Sequence, residues 1–309
     1  MPASQKKAYL LVIFGVVMVS YSGPMVKGAL LEGATPVTIA FLRMLSAGLL
    51  LLPFAMRKRA GEAASSLRAV LCAPGKQLLF GTLAAAFLAL HYFVWMTSMK
   101  STTTFASVAL VCTQPLFVAV FSGLLLNEPM QKSSRPGALV ALAGAVLIGL
   151  SSLTGQSGSI GGDLLALTGA VAMAGHWLCG RYARKSLPAL GYTVFVYLAT
   201  AVFLGVLVPV AGGFSLPGRA VWYLAGLVLG STLLGHAVFT YALGSVSAHV
   251  VSFALLGEPV GAMLWALLMF EERPGPLLLA GGAVVLLGLF MYLRQASARE
   301  VPRDTGTTL

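Results

Sequence analysis

Ten long apolar runs, nearly free of charge, divide this chain and decide what it can fold into. They cover approximately 8–27, 36–56, 77–98, 102–125, 136–152, 161–181, 188–209, 220–242, 245–269 and 276–294, the fifth being short. A hydrocarbon core about 30 Å thick is crossed by roughly 20 residues of helix rising about 1.5 Å each. Only 9% of the 309 residues are charged, with a mean hydropathy of +0.90. A soluble domain carries about 25% charged residues, so this chain cannot build a water-facing surface. Lipid offers no partner to an open sheet edge, which leaves helices as the spanning element. The expected fold is therefore an all-α integral membrane protein with ten transmembrane helices. Lys6 and Lys7 precede the first run. That run is too long for a signal peptide and lacks a small-residue cleavage site, so it reads as a retained span.

The basic residues set the orientation. With the N-terminus cytoplasmic, fifteen of the twenty lysines and arginines fall inside (Lys6, Lys7, Arg57, Lys58, Arg59, Arg68, Lys76, Lys132, Arg135, Arg181, Arg184, Lys185, Arg294, Arg299 and Arg303). Four fall outside (Lys27, Lys100, Arg219 and Arg273), and Arg43 stays within a span. This is the bias expected of a membrane protein with both termini cytoplasmic. The net charge of +11 is spread over short connectors without interleaved aromatics, which argues against nucleic acid as a partner. Cys72, Cys112 and Cys179 have no metal-ligand spacing and read as packing residues. No P-loop, zinc motif, serine elbow or cofactor fingerprint is present. Gly161-Gly162-Asp163 opens a span, where Asp163 is expected to cap the helix.

The chain is also duplicated. Ser101-Thr-Thr-Thr-Phe-Ala-Ser-Val-Ala-Leu-Val-Cys-Thr-Gln114-Pro115 aligns without a gap on Ser245 to Glu258-Pro259, an offset of 144 residues that also places Glu128 on Glu272. A repeat of this kind takes precedence over local readings. Two units of five spans follow, 1–155 and 156–309, joined by the Gly/Ser-rich connector near Leu153–Gly162. Five is odd, so the second unit must enter the membrane with the opposite orientation. Such a 5+5 inverted repeat suits alternating access around a central site.

Candidate site residues are the polar groups inside spans. Glu258 lies 13 residues into the ninth run, too deep for an unpartnered carboxylate to face lipid. It therefore faces either a substrate cavity or a bonded neighbouring helix. Pro259 lacks an N–H and would free the Leu255 carbonyl beside it. Gln114-Pro115 is the neutral counterpart, and Ser20-Tyr21-Ser22-Gly23-Pro24 is a polar, kinked stretch of the first run. Pro24, Pro115 and Pro259 are expected helix kinks. His91, Tyr92 and Trp95 share one region of the third span. His176-Trp177 lies in the sixth, and His236 and Tyr241 in the eighth. Together they suit a polar, aromatic lining. Arg43 could meet a substrate carboxylate or snorkel to the outer interface. Glu128 and Glu272, just past the ends of repeated spans, could cap or gate, or could be solvated loop charges. Gly137, Gly144, Gly149, Gly281, Gly282 and Gly288 put matching glycine faces on the fifth and tenth spans, as close helix packing in lipid requires.

Thr113-Gln114-Pro115-Leu116 to Leu126-Asn127-Glu128, its copy Gly257-Glu258-Pro259-Val260 to Glu271-Glu272, Ala40-Phe41-Leu42-Arg43, and the tenth-span run Leu279-Ala-Gly-Gly-Ala-Val-Val-Leu-Leu-Gly carry a further implication. With these marks the chain resembles the bacterial ten-helix EamA-type members of the drug/metabolite transporter superfamily over nearly its whole length. It departs at Asn127, where a glycine is common. The resemblance implies a multi-pass protein of the bacterial cytoplasmic membrane that moves a small solute by alternating access. The expected function is a secondary exporter of small polar or amphiphilic metabolites such as amino acids. Its expected partners are the substrate, the lipid bilayer and a coupled proton or cation, in a monomer or weak dimer with no cofactor and no metal. Import or facilitated passage of a quaternary amine is the alternative within the class. A membrane enzyme using His176, His236 and Glu258 is the alternative outside it.

Overall fold

The apolar runs are helices. The computed structural model describes residues 3–57, 66–126, 132–154, 158–184, 187–235 and 256–297. The helices are α1 (Ala3–Ser20), α2 (Ser22–Leu31), α3 (Pro36–Met56), α4 (Ser66–Leu71), α5 (Gly75–Ser98), α6 (Thr104–Val111), α7 (Gln114–Leu126) and α8 (Arg135–Leu153). They continue with α9 (Ile160–Ala183), α10 (Ala189–Leu207), α11 (Ala220–Gly226), which runs into a π-helix over Leu227–Gly235, α12 (Glu258–Phe270) and α13 (Pro276–Ser297). Among the described residues seven helical stretches are long and apolar enough to cross a membrane. Ile160–Ala183 is as long, but Asp163, His176 and Arg181 make it less apolar. Large apolar side chains such as Leu268, Val206 and Leu10 stand exposed on the outer faces, as in a protein wetted by lipid.

Small residues set the closest helix contacts. The most extensive are α8 with α13 and α5 with α9, followed by α3 with α10. Between α8 and α13, a Cβ added at Gly137 or Gly144 would strike the backbone of Tyr292 or Val285, and one at Gly288 would strike the backbone of Ala141. The helices meet main chain to main chain there, with no side chain between them to give way. Gly149 on α8 faces open space instead. Elsewhere α1 packs on the π-helix and α12, α6 on α12, α7 on α9, α5 on α10, and α3 on the π-helix.

One polar knot joins three connections. Asp163 is 3% exposed, and its carboxylate accepts from the Thr102 hydroxyl at 2.7 Å and from the Ser152 hydroxyl. The helix cap is supplied by Ser159, whose hydroxyl accepts from the Gly162 amide at 3.2 Å. Asp163 is thus a tie between the α5–α6 turn, the end of α8 and the start of α9, in place of the cap expected from sequence. A buried carboxylate needs these donors, so losing them is costly. Asp163→Ala is expected to remove roughly 2–3 kcal/mol of stability, since hydrogen bonds to a charged group contribute about 1.5–3 kcal/mol. A fall of the Tm in detergent, with Gly149→Ala unchanged, checks this.

Candidate functional site

Helix interruptions and buried polar groups coincide. The first span breaks at Tyr21 and restarts at Ser22. The fourth breaks at Cys112-Thr113 and restarts at Gln114. Leu256-Gly257 form a turn from which α12 starts at Glu258. Pro24, Pro115 and Pro259 all lie in the first turn of a restarted helix. A proline there lacks only an N–H that has no intrahelical acceptor, so the position is favourable. Tyr21 (φ −70°, ψ −15°) and Cys112 (φ −63°, ψ −8°) keep right-handed backbone, so Pro24 and Pro115 lie where helical hydrogen bonding is interrupted along spans that continue, Leu10–Leu31 and Thr104–Ser122. Gln114 and Glu258 are each the first residue of a 13-residue helix. For Glu258 the helix start also favours a carboxylate electrostatically.

Arg43 lies at the centre of these breaks. It is 3% exposed, which excludes snorkelling to an interface. Its Nε–H donates to the Thr232 hydroxyl of the π-helix at 2.9 Å, and an Nη1 hydrogen reaches the Ser22 hydroxyl at 3.3 Å. The guanidinium carbon sits 4.6 Å from the ring centroid of Tyr92, a cation–π contact. Glu258 and the half-buried Tyr197 of α10 lie within electrostatic range of Arg43, and Cys112 within range of Glu258. An arginine inside lipid is tolerated when its hydrogens find such partners.

The aromatic residues divide into two groups. Tyr92 and Trp95 are buried with His91, whose ring stacks on Trp95 at 5.7 Å and meets Tyr92 edge-on at 5.0 Å. Tyr21, at the break of the first span, meets Trp265 of α12 edge-on at 5.0 Å. Trp265 lies two helical turns beyond Glu258, a partner that sequence reasoning passed over. The Trp95 indole nitrogen and the Gln114 Oε1 are buried without a partner among the described residues. Both are groups that a bound ligand would satisfy. His91 and His176 are tied to main chain: Nδ1–H of His91 donates to the Gly169 carbonyl and Nδ1–H of His176 to the Ala84 carbonyl, both at 2.9 Å. These bonds pin α5 and α9 together at two levels. Trp177 is 53% exposed, outside the buried group. His236, Tyr241 and Glu128 lie outside the described residues. Among the described residues no group of three His, Cys, Asp or Glu side chains is placed to hold a metal.

Glu272 has a defined place. Its Oε1 accepts from the Thr104 amide, the first of α6, at 2.9 Å. It follows Glu271, whose left-handed φ of 55° closes α12 where glycine or asparagine is usual. The capping alternative therefore holds for Glu272.

The chain matches the EamA-like transporter family over residues 6–150 and again over 160–294, and it belongs to that family, within the drug/metabolite transporter superfamily. It is 28% identical over 199 residues to an uncharacterized transporter, YoaV, of Bacillus subtilis, covering 62% of this chain and 67% of that one. It is 25% identical over 198 residues to a probable terminal-alkyne amino-acid exporter of Streptantibioticus cattleyicolor, covering 63% and 66%. A probable amino-acid metabolite efflux pump of Salmonella typhimurium is 23% identical over 211 residues, covering 62% and 68%. The match thus spans about two thirds of each relative. A solved crystal structure superposes with a TM-score of 0.62 over 95% of this chain and 99% of that one at 17% identity, a likeness of fold. The chain is a multi-pass small-molecule transporter of the bacterial inner membrane, and the enzyme alternative falls with the family assignment.

Proposed function

We propose that this transporter is a secondary exporter of amino acids or closely related zwitterions. It works by alternating access between two five-helix repeats, residues 1–155 and 156–309, with ten spans and opposite orientations. The helix partnerships support the repeat. Exchanging the two units turns the α5–α9 contact into the α1–π-helix contact, α5–α10 into α3–π-helix, and the α6/α7–α9 contact into α12–α1. It returns α3–α10 and α8–α13 to themselves, and all of these contacts are present.

The carrying observation is a buried guanidinium over Tyr92, which neighbours the Trp95 indole with its unpartnered nitrogen, and a carboxylate within electrostatic range of that guanidinium. Arg43 takes the substrate carboxylate. Glu258 takes its ammonium, or a coupling proton when the site is empty. Gln114 and Trp95 supply an acceptor and a donor. Tyr21, Tyr92 and Trp265 contact the apolar side chain. Ser22 steadies Arg43, and His91 and His176 hold the wall that carries Trp95. His236, Tyr241 and Trp177 remain further lining candidates. The rings also favour a second reading, a quaternary amine. Arg43 weighs against it, because like charges about 5 Å apart repel by about 3 kcal/mol at an effective dielectric near 20.

Counterflow in proteoliposomes decides between them. Vesicles loaded with unlabelled phenylalanine are expected to accumulate external labelled phenylalanine, and Glu258→Gln to lower this at least about tenfold, the loss of one charge-assisted contact. Counterflow of choline in place of phenylalanine would establish the second reading. Counterflow of neither would remove both.

A further inference from the structure

Thr232 is a residue the duplicated motifs do not point to, and its geometry is unusual. It lies in the π-helix Leu227–Gly235, a winding that is rare and that concentrates at functional positions. Its hydroxyl donates to the carbonyl of Leu227, five residues back, at 2.9 Å. In an α-helix a threonine hydroxyl reaches the carbonyl three or four residues back. A hydroxyl has a single proton. With that proton committed to Leu227, the oxygen turns only lone pairs toward Arg43 and accepts from Nε at 2.9 Å. Among the described residues the other hydrogen-bond partner of this guanidinium is Ser22, reached from Nη1. A guanidinium offers a carboxylate either its side edge, Nε with one Nη, or its end edge, Nη1 with Nη2. Thr232 occupies Nε and so blocks the side edge, and Ser22 takes one Nη1 hydrogen, which leaves Nη2 and the second Nη1 hydrogen at the end of the group.

We propose that Thr232 is the positioning residue that presents the end edge of Arg43 to the substrate carboxylate, and so sets the transporter's preference for free carboxylates over neutral carboxyl derivatives. The inference rests on the amino-acid reading above and refines it. The π-winding gives Thr232 its orientation, and Arg43 gives the charge. Without the hydroxyl the guanidinium can rotate about its last bonds and loses its fixed match to a planar carboxylate, while an uncharged amide loses little.

The test compares binding of phenylalanine and phenylalaninamide to wild type, Thr232→Val and Thr232→Ser in detergent, with the Tm measured for each. In wild type phenylalanine is expected to bind more tightly. Thr232→Val is expected to shrink that preference about tenfold, the loss of one hydrogen bond to a charged group, through weaker phenylalanine binding alone. Thr232→Ser, which keeps the hydroxyl, is expected to restore it. Where Thr232→Val lowers the Tm, Thr232→Ala supplies the same comparison. An unchanged ratio in the hydroxyl-less variants overturns the inference and leaves the amino-acid reading standing. Equal weakening of both ligands, or no rescue by serine, overturns it as well. Wild type that binds no amino acid overturns both.

Discussion

Arg43→Met is expected to yield a folded protein that binds phenylalanine at least about 30-fold more weakly than wild type. Under the proposed function Arg43 pairs with the substrate carboxylate; truncating one member of such a buried charge pair costs about 2–5 kcal/mol, and each 1.4 kcal/mol is about tenfold in affinity. Methionine keeps the unbranched stem about as far as Nε and removes the guanidinium that lies over Tyr92. It leaves Thr232 and Ser22 without their donor and Glu258 without the nearby positive charge. Arg43→Lys is expected to fall between the two, because an ammonium keeps the charge but cannot place two donors on Thr232 and Ser22 in a fixed plane. Calorimetric titration of phenylalanine into the purified protein, with size-exclusion profiles as a check on folding, measures this. Unchanged affinity in Arg43→Met would remove Arg43 from the site.

The larger effect on stability is expected at Gly288. Gly288→Leu would place a side chain against the main chain of Ala141, which no rotamer can avoid. Overpacking of a tight contact costs about 1–3 kcal/mol where neighbours can shift. Here the neighbour is backbone, and α8 and α13 would have to separate along their length. Little or no monodisperse protein is expected. Gly149→Ala, on the same interface helix but facing open space, is the control, expected to be neutral or slightly stabilising because alanine favours the helix. Thermal unfolding followed by tryptophan fluorescence separates the two. A Gly288→Leu protein as stable as wild type would contradict the close helix approach.

Much of this architecture was readable from residues alone, and the reasons differ by element. The spans were legible because lipid demands long apolar runs, and α3, α5, α10 and α13 begin and end close to the runs that announced them. The equivalence of Gln114 and Glu258 was legible from the 144-residue offset, and both prove to be the first residues of 13-residue helices. The helix breaks were legible only in part. A proline signals an interruption, but sequence does not say whether the chain bends or stops and restarts. The partners of Arg43 were not legible. Thr232 is 189 residues away in sequence and faces the guanidinium through a π-winding that no residue pattern announces. The histidines show the converse. His91 and His176 stood out as polar groups in lipid, yet each spends its Nδ1–H on a carbonyl of the facing helix. A side chain that looks available in a list of residues can already be tied to the fold through one of its two nitrogens.

The carboxylate of Glu272 on the first amide of α6 has an energetic consequence for how the molecule rests. Under the proposed arrangement it is a clasp from one half of the chain onto the other. Losing a helix-capping acceptor costs about 0.5–2 kcal/mol, enough to shift a two-state balance by roughly two- to thirtyfold. Under that arrangement any excursion that lifts the segment after α12 away from α6 must first re-wet that amide, which weights the balance toward keeping this end shut.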